Sequence, residues 1–239
     1  KGLDEFIKQR GLNEEMLVSS IQDNRSHLDS IRKSTKGLRQ KYGQVVKVYK
    51  SYEEIYPNLY APDICFFIGN YSVNTTVSND FSWILFGTEL MVENIYGENP
   101  ENFEFIVAHE ATHIQQLRYS GFSRQLLNRI LMEGAADLIA EMVTGIPPYD
   151  TEAYEYGKLH EQELWKEFSN RSDDENAVEY FGSAEGSERP KRLGYYIGYE
   201  ICKSYYQNAN DKNQALIDII EIDDPEEFLT QSKYHEKFD

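Results

Sequence analysis

One short segment of the chain carries residues whose types and spacing suit metal chemistry. His109-Glu110-Ala111-Thr112-His113 has the pattern H-E-x-x-H, and a spacing of four brings both imidazoles to one face of a helix. Two neighbouring imidazoles can share one tetrahedral zinc ion. Glu110 lies one helical step around, where it can act as a general base towards an attacking water molecule and not as a ligand. The segment therefore predicts a hydrolytic zinc centre.

The surroundings of the two histidines favour a metal over ordinary burial. The same helical stripe carries Ile106 and Leu117, so both imidazoles are expected to face the protein interior. The ring nitrogens of one buried histidine easily find hydrogen-bond partners, but two stacked imidazoles beside a carboxylate are hard to explain without a metal. Two alternatives stay open. The histidines could be core residues of an amphipathic helix, or Glu110 could be an ordinary helix acid in a zinc site that does not turn over.

The next predicted helix carries two carboxylates four residues apart, Glu133 and Asp137. Leu126 and Ile130 precede them on the same side, so both acids lie on or near an apolar stripe. A buried ionised carboxylate needs a counter-charge. Zinc would supply it for Glu133, and the N–H of a ligating imidazole would supply it for Asp137. The alternatives are a surface carboxylate at the first position and a solvated one at the second.

Together these motifs resemble a known class of metallopeptidases. H-E-x-x-H followed by E-x-x-x-D is similar to the gluzincins, the thermolysin-like enzymes with a His, His, Glu zinc set. The resemblance implies that Glu133 is the third zinc ligand and that Asp137 orients His109. The rival metzincin pattern requires glycine and histidine at positions that hold Gln116 and Tyr119 in this chain, so that class is excluded.

A narrower resemblance covers roughly residues 60 to 230. It rests on a short apolar strand, a glycine-containing strand before the helix, the two motifs above, and a segment from Pro190 to Tyr199 with a repeated Gly-Tyr pair. This order is similar to bacterial predicted zinc-dependent proteases related to gliding-motility lipoproteins. Many members of that family are anchored in the cell envelope after export. The resemblance therefore implies an exported envelope lipoprotein from which the signal segment has been removed.

The late segment also contains candidates for stabilising a developing oxyanion. Tyr195 and Tyr199 share one helix face, and Gly194 and Gly198 beside them would let that helix pack closely on a neighbour. A phenol is neutral at pH 7 and donates one hydrogen bond. We therefore predict that one of the two hydroxyls, with Tyr195 as the first choice, lies within reach of the metal centre. The positive charge of Arg192 could also stabilise the oxyanion. The alternative is that these aromatic residues belong to the core.

Composition limits the partners that such a protein can have. The net charge is -17, with 41 acidic and 24 basic residues, and no basic cluster is interleaved with aromatic residues, so nucleic acid is excluded. No apolar run approaches the roughly 18 residues of a membrane span, so direct membrane insertion is not expected. Cys65 and Cys202 lack the spacing of a thiolate zinc site, and free thiols or one disulfide both stay open. A peptide or protein substrate is expected, while the oligomeric state is left open.

Capping signals bound the two metal-binding helices. Asn99 is a plausible N-cap with Pro100 at the first helical position. Ser123 would cap the second helix, and Gly145 would end it. Gly134 would let this second helix approach the H-E-x-x-H helix closely.

The elements predict a single α+β domain, mostly helical and zincin-like, with a small antiparallel sheet packed on the H-E-x-x-H helix. Its parts are a helical N-terminal part (1–56), the small sheet (57–98), the metal-binding helices (99–145) and a helical C-terminal part (146–239). The chain is long enough to bury a core without help from a metal. A metal bound here would therefore serve function sooner than folding.

The predicted function is zinc-dependent hydrolysis of peptide bonds, with Glu110 as general base. The sheet edge at residues 72–78 could align an extended peptide by strand addition. The alternative is a zinc-bearing binding or assembly protein of the envelope on a peptidase scaffold that no longer turns over. The intact Glu110 argues for the hydrolase.

Overall fold

A computed structural model describes residues 1–96, 102–121, 123–148, 151–172, 174–175, 177–182 and 189–238. These residues group into two compact units, Lys1–Ile114 and Gln115–Asp239. The boundary falls inside one continuous helix, which contributes residues to both units. The description of the chain as a single domain stays a prediction.

The first unit combines helices with one small sheet, which confirms the predicted mixture of a mostly helical chain and a few short strands. Its helices are α1 (Gly2–Arg10), α2 (Glu14–Asp23), α3 (Arg25–Gly37), α4 (Tyr42–Ile55), α5 (Thr88–Tyr96) and most of α6 (Asn102–Tyr119). Its strands are β1 (Asp63–Phe67), β2 (Thr75–Val77) and β3 (Trp83–Gly87).

The sheet is mixed, so the prediction of an antiparallel sheet is wrong. The strand order is β1-β3-β2, with β3 parallel to β1 and antiparallel to β2. The segment after β1 does not make a hairpin turn. The buried Glu89 carboxylate accepts hydrogen bonds from the backbone N–H groups of Gly69 and Tyr71, which holds this segment while the chain crosses to the far edge. Only β2 and β3 are joined by a short turn, in which the N–H of Phe81 donates to Ser78.

The sheet packs on the H-E-x-x-H helix α6, as predicted. Phe66 of β1 and Phe86 of β3 lie 5.1 Å apart between ring centroids. Both rings contact Phe103 in the first turn of α6, at 6.1 and 5.7 Å, and such aromatic clusters bury large apolar areas. Further along α6, the buried hydroxyls of Tyr52 and Thr112 are hydrogen-bonded at 2.9 Å. Helix α6 is thus held by the sheet and by α4 within the first unit.

The second unit is helical in its described part. After the end of α6 its helices are α7 (Leu126–Thr144), α8 (Thr151–Leu159), α9 (Glu161–Ser169), α10 (Leu193–Asn208), α11 (Lys212–Ile220) and α12 (Pro225–Ser232). Short 3-10 helices lie at Leu38–Lys41 in the first unit and at Val178–Tyr180 and Tyr234–Phe238 in the second. Both cysteines are free thiols: Cys65 in the first unit is partly exposed and Cys202 in the second is buried.

The capping predictions have different outcomes. Gly145 ends α7 in the left-handed conformation, with φ 72°, as predicted. Ser123 does not cap α7. Its hydroxyl accepts from the backbone N–H of Gln125 before the helix begins. The predicted cap at Asn99 and Pro100 lies outside the described residues.

Helices α7 and α10 are in backbone contact at two glycines. A Cβ added at Gly134 would lie 2.0 Å from the carbonyl carbon of Gly198, and a Cβ at Gly198 would lie 1.9 Å from the backbone oxygen of Ile130. The predicted close packing of the late glycine helix on a neighbour is confirmed. The predicted partner of Gly134 is wrong, because the atoms nearest to its added Cβ belong to α10 and not to the H-E-x-x-H helix.

Candidate metal centre

Helix α6 carries both histidines of the motif into the interior. His109 is 7% exposed and His113 is 8% exposed, and their Nε2 atoms are 2.9 Å apart. Two nitrogens on one tetrahedral zinc ion would stand about 3.3 Å apart, since each Zn–N distance is about 2.0–2.1 Å. Phe105, one turn earlier, lies 6.3 Å from the His109 ring between centroids. The imidazole pair is therefore close to the spacing that one ion requires.

Glu133 of α7 completes a group of three donors. The ligand atoms of His109, His113 and Glu133 all lie within 4.8 Å of one another. The histidines are buried and the glutamate is partly exposed. Within the described ranges no other set of three or more histidine, cysteine, aspartate or glutamate residues has this arrangement. Two imidazoles and one carboxylate are a donor set that zinc uses in sites that keep one position for water. The group fits a metal ion.

Asp137 lies one turn after Glu133 and is 4% exposed. Its Oδ2 atom accepts a hydrogen bond of 2.8 Å from the hydroxyl of Tyr154 in α8. Burial, and then the nearby Asp137 charge, raise the pKa of Tyr154 well above its ordinary value, so the phenol keeps its proton and remains a donor. No sequence pattern pointed to this tyrosine, because a single tyrosine on a separate helix carries no spacing signal. The predicted contact of Asp137 with His109 stays a prediction.

Tyr154→Phe is expected to destabilise the fold by about 1–3 kcal/mol, because a buried carboxylate loses its donor. If Asp137 supports a ligating imidazole, zinc affinity should also fall by about 10–100-fold. Chemical denaturation of the metal-free protein and a chelator competition titration measure the two effects. Tyr205→Phe is the matched control, since that hydroxyl also donates to a carboxylate, Asp218, in the same unit. Equal zinc affinities in the wild type and Tyr154→Phe would contradict the supporting role.

Tyr195 is the late tyrosine that lies near Glu133. It precedes Gly198 by one turn on α10, where that helix touches α7 beside Glu133. Burial and then the Glu133 charge raise the pKa of Tyr195 well above its ordinary value, while Arg192 acts in the opposite direction and donates a hydrogen bond to the phenol. The guanidinium carbon of Arg192 lies 4.1 Å from the Tyr195 ring centroid.

The hydroxyl of Tyr199 is bound to a different carboxylate of α7. It donates a hydrogen bond to Glu141, which lies two turns beyond Glu133 on α7, about 12 Å along the helix axis. The Tyr199 ring packs against Tyr154, with 5.3 Å between centroids. Of the two tyrosines, only Tyr195 is therefore kept as the candidate that would donate a hydrogen bond to an oxyanion at the metal centre.

Glu110 follows His109 directly on α6, and in contrast to both histidines it is partly exposed. A carboxylate that takes up and releases protons must communicate with solvent or substrate. The position of Glu110 is compatible with that requirement, and its role as a base stays a prediction.

Comparison with known protein families gives one informative result. The family model described as "Gliding motility protein GldB" matches residues 8–236, which is nearly the whole chain. Comparison with curated proteins and with solved structures gives no match. Among the helices of the described ranges, none is long and apolar enough to span a membrane.

Proposed function

The chain belongs to the gliding motility protein GldB family, and from this premise we propose that it is a zinc-bearing binding or assembly protein that serves gliding. The family is one of cell-envelope lipoproteins, so the chain belongs to the cell envelope. The zinc ion would be held by His109, His113 and Glu133 on a scaffold like that of the zincin peptidases.

The observation that carries this proposal is the group of two buried imidazoles and one carboxylate. Burying two polar rings side by side is costly unless their nitrogens are satisfied, and a shared cation satisfies both. A chain of 239 residues has enough core to fold without a metal. The ion is therefore proposed to serve an interaction or a reaction and not the stability of the fold.

Hydrolysis of peptide bonds is the second candidate function, and Glu110 and Tyr195 are the residues that favour it. A bound zinc ion would polarise a peptide carbonyl and lower the pKa of water to about 7. Glu110 would take the proton of the attacking water and later pass it to the leaving amine. The Tyr195 hydroxyl would donate a hydrogen bond to the carbonyl oxygen as negative charge develops on it. The edge strand β2 would align the peptide.

Glu110→Gln separates the two functions. The amide keeps the size of the side chain but cannot take a proton, so zinc content should be unchanged. Cleavage of a peptide library, if the wild type shows any, should fall by about 10²–10⁴-fold. Glu104→Gln is the matched control on the same helix, because that carboxylate pairs with Lys47 at 3.0 Å, and it should change neither quantity.

Gliding of cells that carry the variants decides between the two functions. In a gliding bacterium that carries this chain, His113→Ala should abolish gliding under either function. Glu110→Gln should preserve gliding if the protein binds or assembles, and abolish it if hydrolysis is required. Loss of zinc from the Glu110 variant would instead make Glu110 a ligand and contradict both proposals.

A further inference from the structure

The segment from α3 to α4 has a charge opposite to that of the rest of the chain. Residues 25–50 contain eight lysines and arginines and one aspartate, whereas the rest of the chain contains 16 basic and 40 acidic residues. The net charge of -17 therefore hides a basic region in the first unit. Charge that is segregated in this way creates a local potential that attracts an anionic partner.

Helix geometry places four of these cations on one side of the segment. Ile31 of α3 and Leu38 of the following 3-10 helix are buried, so they face the core. The exposed side chains that lie away from them, called here the basic surface, are Arg32, Lys33, Lys36 and Arg39. The first, third and fourth of these are separated by four and three residues, which is the spacing of one helix face.

The four cations of the basic surface form no ion pair within the described ranges. Their neighbours do: Arg25, earlier on α3, is paired with Asp29 at 3.9 Å, and Lys47 of α4 is paired with Glu104 at 3.0 Å. The basic surface thus lies between cations that have acidic partners inside the chain. Its own charge is available to an anion from outside.

Tyr42 adds an exposed aromatic ring to the basic surface. It is the first residue of α4 and is 75% exposed. It follows Arg39 by three residues at the end of the 3-10 helix, where side chains three residues apart are eclipsed. Tyrosine is enriched at membrane–water interfaces, where its ring lies at the level of the headgroups. One tyrosine among cations does not provide the series of stacking rings that binds single-stranded nucleic acid.

We propose that the basic surface and Tyr42 dock on the headgroups of an anionic phospholipid bilayer. The family is one of cell-envelope lipoproteins, and a protein held close to a membrane needs only a weak further attraction, because its effective concentration there is high. The attraction acts within about a Debye length, which is ~8 Å at physiological ionic strength. Acidic residues further than this from the bilayer are screened, so they do not cancel it. Docking determines which side of the first unit faces the membrane, and it requires no spanning helix.

Co-sedimentation of the full chain with lipid vesicles tests the docking. At about 0.1 M salt, vesicles of equal parts phosphatidylglycerol and phosphatidylcholine should bind the wild type, and vesicles of phosphatidylcholine alone should not. Each basic residue near an anionic surface contributes about 5-fold to binding. The triple variant Arg32→Gln, Lys36→Gln, Arg39→Gln should therefore bind about 100-fold more weakly. At about 1 M salt, where the Debye length is ~3 Å, binding of the wild type should be lost.

A second triple variant, with the same net charge as the first, is the control. Its changes lie at exposed lysines of the second unit: Lys158→Gln, Lys166→Gln and Lys191→Gln. It should bind the anionic vesicles as the wild type does, and Tyr42→Ser should bind them more weakly with an unchanged dependence on salt. Equal binding by the two triple variants would overturn the docking. So would a wild type that does not bind the anionic vesicles or that binds neutral vesicles equally well.

The competing occupant of the basic surface is an acidic region of a second copy of the chain. Analytical ultracentrifugation without lipid should give the same oligomeric state for the wild type and both triple variants. Self-association that is lost only in the Arg32, Lys36 and Arg39 variant would assign the surface to contacts between copies and contradict membrane docking. These measurements require neither zinc nor peptide cleavage, so their outcome is independent of the proposed function.

Discussion

Replacing Glu133 with alanine is expected to leave the purified protein almost free of zinc. Two imidazoles would remain, at 2.9 Å between their Nε2 atoms, and a site with only two protein ligands holds zinc poorly. Loss of a hydrogen-bonding partner behind a zinc ligand already costs about 10–100-fold in affinity, so loss of the ligand should cost more. Elemental analysis and a chelator competition titration measure the change against the wild type, which should contain about one zinc per chain.

Glu141→Ala is the control for this variant. Glu141 is a partly exposed carboxylate on the same helix, two turns further on, and it accepts the hydroxyl of Tyr199. Its removal should leave the zinc content unchanged. Undiminished zinc in Glu133→Ala would remove Glu133 from the ligand set. The metal-free wild type should still show a cooperative thermal transition, because the core of a chain this long does not depend on the ion.

The second large effect is expected at the contact of α7 and α10. Gly134→Ala would put a Cβ 2.0 Å from the carbonyl carbon of Gly198. Backbone cannot yield as a flexible side chain does, so the helices must separate. We expect destabilisation by about 3 kcal/mol, which for a protein of this size lowers the melting temperature by about 6–12 °C. Zinc affinity should fall as well, because Glu133 is the residue before Gly134.

Gly43→Ala is expected to have the opposite effect on stability and is measured in the same experiment. Gly43 lies in the first turn of α4, and no heavy atom stands within 4 Å of its added Cβ. Alanine should therefore stabilise the protein by about 0.5–1 kcal/mol through its helix propensity. Thermal unfolding by circular dichroism compares the two variants. A Gly134→Ala protein that melts at the wild-type temperature would show that the two backbones are not in contact.

The histidine pair of the candidate metal site could be predicted from the sequence because its spacing follows from local helix geometry. His109 and His113 share a face of any straight helix, and both are buried, as the surrounding apolar stripe predicted. The end of α7 could also be predicted from the sequence, because Gly145 has the backbone freedom that a helix end requires. Each of these features depends on only a few consecutive residues.

Features that depend on distant residues were missed or misassigned. The strand β1 pairs in parallel with β3, and the segment that follows β1 is held by Glu89, whose carboxylate accepts from the Gly69 N–H and lies on the helix that follows β3. The partner of Gly134 depends on Gly198, far away in the sequence. Tyr154 reaches Asp137 from a separate helix. Periodicity and capping signals contain no information about such pairs, so only the three-dimensional structure identifies them.

Anomalous X-ray diffraction from crystals of the zinc-loaded protein, recorded above and below the zinc absorption edge, would locate the ion. We expect one strong zinc peak between the Nε2 atoms of His109 and His113 and a carboxylate oxygen of Glu133, at about 2.0–2.2 Å from each. A zinc peak at other residues, or none at these three in a protein that contains one zinc per chain, would contradict it.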